Sequence, residues 1–346
     1  MVTFYDEIRR QPDALREFVQ YAFAEDGLHD KIRSLAAQRP ITQIMFTGMG
    51  SSYYAGKAGC YYLRQRGFPC AVMESDELSA FGTPSLNDGT LLVLISQSGE
   101  SAEVIGLCKR LPPGVRTAVI SNYPDRALFK YGDVKIEIKA GPEIRTATKS
   151  YTNTLAAVAF FAVSLAAGDL AGLKKDLLLC ADSMEDMLEN NDGWLPKLSG
   201  FLSRHSCVVL AASGASYATA GHLELVIEEA AKKYSSRYTF AQFIHGPIEL
   251  ISPDFACIAF DFDEKFRGKA DSVYSWMTEN GGDLVVITNR KDKISGAETV
   301  YIPCENPLVS PIAEVVPVEL AVNAYGTGAG LRPGEIERIK KWSGII

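Results

Sequence analysis

No apolar run in this 346-residue chain approaches the length of a bilayer span, so a membrane-crossing helix is not expected. Basic runs are missing too. Lysine plus arginine number 35 against 42 acidic residues, a net charge of −7, which makes nucleic acid and acidic membrane surfaces poor partners. Only four histidines occur (His29, His205, His222, His245), none paired with another histidine or a cysteine at ligand spacing, so no metal site is expected. There is no CxxC pair. The seven cysteines are odd in number, scattered and mostly inside apolar runs, and read as reduced thiols of a cytoplasmic protein. The N-terminus is charged and amphipathic rather than basic and then apolar, so no secretory leader is expected.

What is present is an ordinary globular composition, 47% hydrophobic and 22% charged, in a chain long enough for two cores. The most informative stretch is Leu91 to Glu103. Five apolar residues, Leu91 to Ile95, predict a short buried strand; Ser96-Gln97-Ser98-Gly99 turns it sharply, and a helix is predicted from Glu100. Strand-to-helix junctions of this kind offer free backbone N–H groups to an anion. Ser96, Ser98 and Ser101 add hydroxyls, Gln97 an amide, and Gly99 a tight turn. No lysine follows at the spacing of a nucleotide-binding loop, so a small phosphomonoester fits better than a nucleotide tail. The same residues would also serve as an ordinary serine-rich helix cap.

Strands alternate with helices along the chain, and the second half repeats the first. Gly50-Ser51-Ser52-Tyr53 returns as Gly214-Ala215-Ser216-Tyr217, and Ala118 to Asn122 returns as Val285 to Asn289, at offsets of 164 and 167 residues. Ile138 with Gly141-Pro142-Glu143 is answered by Ile302 with Glu305-Asn306-Pro307. The expected fold is α/β: two tandem, doubly wound (flavodoxin-like) parallel-sheet domains with flanking helices. Residues 4–37 read as two helices, the second from Asp30 to Ala37, and boundaries are placed at 1–27 for a helical lead-in, 28–170 for the first domain, 171–190 for a helical connector, 191–333 for the second domain and 334–346 for a tail closing the active site. The halves differ where the first reads ISQSGES and the second Ile258-Ala259-Phe260-Asp261-Phe262-Asp263. Two carboxylates there would repel a phosphate, so only the first half should hold the anion.

The motifs GSSY, SQSGES, AGPEIRTATKSYTNT (Ala140 to Thr154) and FIHGPIELI (Phe243 to Ile251) resemble the tandem sugar-isomerase (SIS) domains that form the isomerase half of glucosamine-6-phosphate synthase. The resemblance covers nearly the whole chain, without that enzyme's N-terminal glutamine amidotransferase domain, since Val2 stands where its nucleophilic cysteine would be. Stand-alone members of the family include phosphosugar isomerases, aminosugar-phosphate deaminases and deglycases of 6-phosphofructosyl amines, and degradation is expected rather than synthesis. Carried over by position, Ser52, Ser96, Gln97, Ser98 and Ser101 would contact the sugar phosphate, with Gly50 and Ser51 beside them. Glu229, sixteen residues before His245, would be the general base. His245 would open the sugar ring and reach the partner subunit's site, and Lys341, five residues before the end, would assist. The segment after AGPEI is one residue shorter than in the synthase, which leaves open what Thr148 and Lys149 do.

On the residues themselves, Glu224 and Glu228 read as a solvated edge of one helix. Glu229 falls with His222 on the flank of the Leu223, Val226, Ile227, Ala230 stripe and borders the core. Moving a proton between C1 and C2 of a sugar needs such a carboxylate, its pKa raised by burial. His222 reads as packing or as a partner of Glu229. Glu143, fixed by Pro142, lines the sugar pocket or braces its loop. The expectation is a homodimer or larger oligomer, acting without cofactor on a hexose 6-phosphate derivative by C1/C2 proton transfer through an enediol or enolamine. Deglycase action and, from another class, a non-catalytic sugar-phosphate sensor are the alternatives.

Overall fold

The structure is a computed structural model and describes residues 2–24, 27–143 and 146–335. In chain order the elements are α1 (Phe4–Arg9), α2 (Gln11–Ala22), α3 (Leu28–Ala37), β1 (Gln43–Gly48), α4 (Ser51–Arg64), β2 (Cys70–Glu74), α5 (Ser75–Glu77), β3 (Thr90–Ile95), α6 (Ala102–Cys108), β4 (Arg116–Ser121), β5 (Val134–Glu137) and α7 (Lys149–Leu165). There follow α8 (Leu170–Glu189), α9 (Leu195–Arg204), β6 (Cys207–Ala212), α10 (Ser216–Val226), β7 (Tyr234–Tyr238), α11 (Phe240–Ile244), β8 (Ala256–Asp261), α12 (Arg267–Glu279), β9 (Asp283–Thr288), β10 (Glu298–Tyr301) and α13 (Ser310–Gly328).

The strands form two five-stranded parallel sheets, ordered β2-β1-β3-β4-β5 and, read the same way, β7-β6-β8-β9-β10. Strand for strand this is one permutation used twice, the doubly wound order of flavodoxin-like folds, as the repeat in the sequence predicts. β3, β4 and β8 are buried along their whole length, and their central stretches, Leu91–Ile95, Ala118–Ile120 and Ala256–Phe260, are unbroken apolar runs rather than alternating ones.

The chain divides into two compact units. The first gathers Asp13–Glu143 and Thr148–Leu178; the second gathers, of the described residues, 2–12, 146–147 and 179–335. In the first unit α7 is buried end to end and packs against α4, where Gly59 permits close approach: a Cβ there would lie 2.5 Å from Val158 Cγ1. Leu92, Leu94, Leu107 and Val119 fill the other face of that sheet. In the second unit Phe240, Phe243, Val273 and Met277 cover one face of the sheet. Helices α9 and α10 each pack on α13.

Several boundaries differ from the sequence reading, each for a local reason. Residues 4–37 hold three helices rather than two, because a capping box between Thr3 and Asp6 opens α1 and Arg10 closes it before α2. Gly50, at φ +52°, lets α4 begin at Ser51, directly after the glycine turn. α6 begins at Ala102 instead of Glu100, since the Glu100 N–H donates to Ser98 Oγ and its carboxylate pairs with Arg126. The expected connector lies within α8, whose residues from Leu179 onward belong to the second unit. None of the described helices is long and apolar enough to cross a membrane.

Candidate active site

In the first sheet the strand order reverses between β1 and β3, and a doubly wound sheet leaves a crevice at the carboxyl ends of two such strands. Two loops flank it: Gly48 to Ser52 after β1, and Ser96 to Ser101 after β3. They touch at Gly48, where a Cβ would lie 2.8 Å from the Ile95 carbonyl oxygen and 2.9 Å from Ser52 Cβ. The glycine therefore brings Ser52, in the first turn of α4, against the end of β3. Gly50 is exposed and Ser51 half-buried beside it.

The second loop is wound on its own hydroxyls. Ser96 Oγ and Ser101 Oγ are 2.9 Å apart, the Gly99 N–H donates to Ser96 Oγ at 3.2 Å, and the Glu100 N–H donates to Ser98 Oγ at 3.2 Å. The Gln97 carbonyl accepts from the Asn122 N–H, which ties the loop to the end of β4. Among the described residues the N–H groups of Ser98 and Ser101 have no acceptor, so donors remain for an anion. Gly99 turns at φ +66°. A Cβ on it would lie 2.9 Å from Arg126 Cβ and 3.0 Å from Ser121 Oγ. Arg126, paired with Glu100 at 2.8 Å, thus stands as a cation beside the serine loop. Position alone identifies it, since nothing in the local sequence around Arg126 marks it.

Glu143 and Thr148 form one structure. The Glu143 carboxylate accepts from the Thr148 N–H at 3.1 Å, from Thr148 Oγ1 at 3.0 Å, from the Ser150 N–H at 3.3 Å and from Ser150 Oγ. It is a side-chain cap for α7, placed where the helix leaves N–H groups unsatisfied. Burial pushes its pKa up, against the pull of those four donors. Of the two roles open to Glu143, the geometry is that of a loop brace. Thr148 is fully buried, and Lys149 Nζ donates to the Pro142 carbonyl at 2.7 Å.

The second unit holds Glu229. The sequence predicts one continuous helix here, but after Val226 the chain widens into a single π turn, Ile227–Ala231, closed by Lys232 in the left-handed region at φ +53°. Single π turns recur at functional sites. Glu229 is partly buried, and its Oε2 accepts from Thr146 Oγ1 at 2.9 Å. Burial raises its pKa, opposed by the Thr146 hydroxyl and the nearby Lys232, while Glu228 adds to the rise. Thr146, 4% exposed, escaped the sequence reading; the only cue was a polar TATKS run between a strand end and a helix.

His222 does not reach Glu229. It is fully buried, its Nε2 lies 3.5 Å from Glu319 Oε1, and burial lowers its pKa to about 3, so it is neutral. Glu224 is no solvated edge residue either, since it pairs with Arg237 of β7 and is largely covered. Glu228 is exposed. His245 ends α11 and is exposed, with Ile244 and Leu250 exposed around it. Lys341, with all of the tail from 336 on, lies outside the described residues.

The second sheet reverses between β6 and β8, but its crevice is furnished differently. Asp263 Oδ2 lies 3.2 Å from where a Gly214 Cβ would be. Asp261 is buried and accepts from Arg290 at 3.2 Å; burial raises its pKa while Arg290 pulls it back down. Ser216, the counterpart of Ser52, donates to the Glu314 carboxylate at 2.8 Å. Carboxylates thus stand at the second crevice where hydroxyls and amides stand at the first. Among the described residues no group of three or more His, Cys, Asp or Glu side chains is placed to hold a metal ion.

The chain is 30% identical over 330 residues to the glutamine–fructose-6-phosphate aminotransferase (isomerizing) of Shouchella clausii, an alignment covering 91% of this chain and 53% of that protein. It therefore spans about half the length of the curated relative it matches. In structure it is similar to the C-terminal domain of glucosamine-fructose-6-phosphate aminotransferase from Francisella tularensis, with a TM-score of 0.82 at 21% identity over 97% of this chain and 98% of that one. It is equally similar to tagatose-6-phosphate ketose/aldose isomerase from Escherichia coli, with a TM-score of 0.82 at 17% identity over 99% and 97%. The SIS domain matches twice, at residues 39–164 and 201–323, one match to each sheet. With both sheets wound in one order and both matched over their length, the chain belongs to the SIS domain family.

Proposed function

We propose that the protein is a phosphosugar aldose–ketose isomerase or aminosugar-phosphate deaminase acting on a hexose 6-phosphate derivative. The observation that carries this reading is Glu229: a carboxylate on a π turn, its pKa raised by burial, with a hydroxyl donor in Thr146. Such a group is basic enough to take a proton from carbon and acidic enough to return it. The serine loop gives the complementary half of the reading, with Ser96, Ser98, Ser101 and the free N–H groups on the phosphate and Ser52 and Gln97 on the sugar. The names of the relatives support a sugar phosphate as the ligand.

In this reading Glu229 removes the proton from C1 of a ketose and delivers it to C2. The C1–H electron pair becomes the C1–C2 double bond of an enediol as O2 gains a proton, and O1 gives up its hydroxyl proton as C2 is protonated and the aldose forms, a net passage of the hydroxyl proton from O1 to O2. With an amine at C2 the intermediate is an enolamine, reached from the aminosugar by removal of the C2 proton, and its hydrolysis releases ammonia. His245, exposed at the end of α11, is assigned to ring opening, which needs one proton taken and one given. Its exposure suits service in the site of a second copy, and a homodimer is part of the proposal.

The test is solvent-deuterium incorporation, followed by NMR, into fructose 6-phosphate, glucosamine 6-phosphate and a 6-phosphofructosyl amino acid, with wild-type and Glu229→Gln protein. Exchange or breakdown of one substrate by wild type alone supports the reading, and the product names the reaction, a deglycase included. Sugar-phosphate binding without exchange on any of the three would overturn it in favour of a sensor.

A further inference from the structure

Helix α10, which ends in the π turn of Glu229, carries a buried polar stripe. Ser216, Thr219 and His222, spaced three apart, are all 3% exposed or less. Each engages α13 or the segment that opens it. Ser216 Oγ donates to Glu314 Oε1 at 2.8 Å, Thr219 Oγ1 donates to the Pro311 carbonyl at 3.3 Å, and His222 Nε2 lies 3.5 Å from Glu319 Oε1, a close polar contact without hydrogen-bond geometry. Both carboxylates are wholly buried. Each has a second partner away from α10: Ser310 Oγ donates to Glu314 at 2.7 Å, and Gln11 of α2 donates to Glu319. Farther along, α13 meets the π turn itself, where a Cβ on Gly326 would lie 3.4 Å from the Ala230 carbonyl oxygen. Lys233, just past the turn, lies 4.4 Å from the centroid of the Tyr325 ring.

The other repeat shows what the stripe is not needed for. At the offset of 164 residues, Ser216, Thr219 and His222 correspond to Ser52, Ala55 and Ala58 of α4, and α7, the counterpart of α13, has no acidic residue. α4 packs on α7 through small apolar contacts and has no π turn. Burying carboxylates costs free energy that an apolar seam would not, so packing alone does not account for them. They occur in the repeat that has a side chain to aim.

We infer that Glu314 and Glu319 are positioning residues, which grip α10 through Ser216 and His222 and so fix the register of the π turn that presents Glu229. The inference rests on Glu229 as the general base. Two serines donate to the same Glu314 oxygen, yet only Ser216 belongs to α10, and this makes the test.

Ser216→Ala, Ser310→Ala, Glu319→Ala and Glu319→Gln are compared in the full chain for thermal stability, for kcat and KM of deuterium exchange, and for the titration midpoint of a 13C-labelled Glu229 carboxyl. The expected result is a severalfold lower kcat for Ser216→Ala and at least a tenfold loss for Glu319→Ala, with KM held within about twofold. The Glu229 midpoint should move in both. Ser310→Ala should keep the wild-type kcat and midpoint, and Glu319→Gln, which retains an acceptor, should recover most of the loss. If Glu319→Ala does not fold, the serine pair decides. Equal behaviour of Ser216→Ala and Ser310→Ala in kcat and in midpoint would overturn the inference. Should the wild-type protein exchange no substrate, the general-base reading falls, while the midpoints still decide whether α13 sets the place of Glu229.

Discussion

The Glu229 carboxylate is balanced between burial, which favours its neutral form, and the Thr146 hydroxyl, which favours the charged one. A general base works only when ionised, so activity should fall as pH drops through the Glu229 pKa, at a higher pH than an ordinary glutamate would give. Thr146→Val removes the hydroxyl at nearly constant volume. The acidic limb of kcat for deuterium exchange should then move further up, because the charged form loses a hydrogen bond that had favoured it. An unmoved limb would mean that the hydroxyl does not set the basicity. The serine loop and Glu229 were legible in the sequence because motif and spacing are local. Thr146 was not, since its partner lies 83 residues on. Glu224 was misread for the same reason: its cation, Arg237, comes from the next strand.

Helices were harder to bound than strands, and the reasons are side chains acting on backbone ends. Apolar runs such as Leu91–Ile95 define strands by burial alone. A helical projection, by contrast, assumes about 100° per residue throughout, and the π turn at Ile227–Ala231 breaks that assumption where the site depends on it. α7 starts where it does because Glu143 receives both the Thr148 and Ser150 N–H groups. Glu143→Ala should therefore cost about 1–2 kcal/mol, the upper range for a lost cap. Amide hydrogen exchange should show the loss concentrated at the first turn of α7, with the middle of the helix still protected. Uniform loss along α7 would mean that the carboxylate supports the unit in some way other than as a cap.

For the whole molecule the informative quantity is how stability depends on pH. Burial raises the Glu314 pKa from the ordinary 4.5 to about 7, although the Ser310 and Ser216 hydroxyls pull it down. The unfolded chain ionises this group near 4.5 and the folded chain only near 7. Its contribution is fully present below the lower value and lost as pH rises through the upper, on the order of 3 kcal/mol in all. Denaturant midpoints at pH 5 and pH 8 should differ less for Glu314→Gln than for wild type. The same slope in both proteins would show that Glu314 does not titrate in this range.

The second unit is assembled from three stretches of chain, and two of them lie in or before the first repeat. Gln11 reaches Glu319 and Thr146 reaches Glu229 from those early stretches. A gene cut at the seam of the duplication would yield a second half without either partner. Whatever single-repeat ancestor was doubled, the later copy has come to lean on chain that lies in or before the earlier one, and a cut between the repeats would leave it short of those pieces.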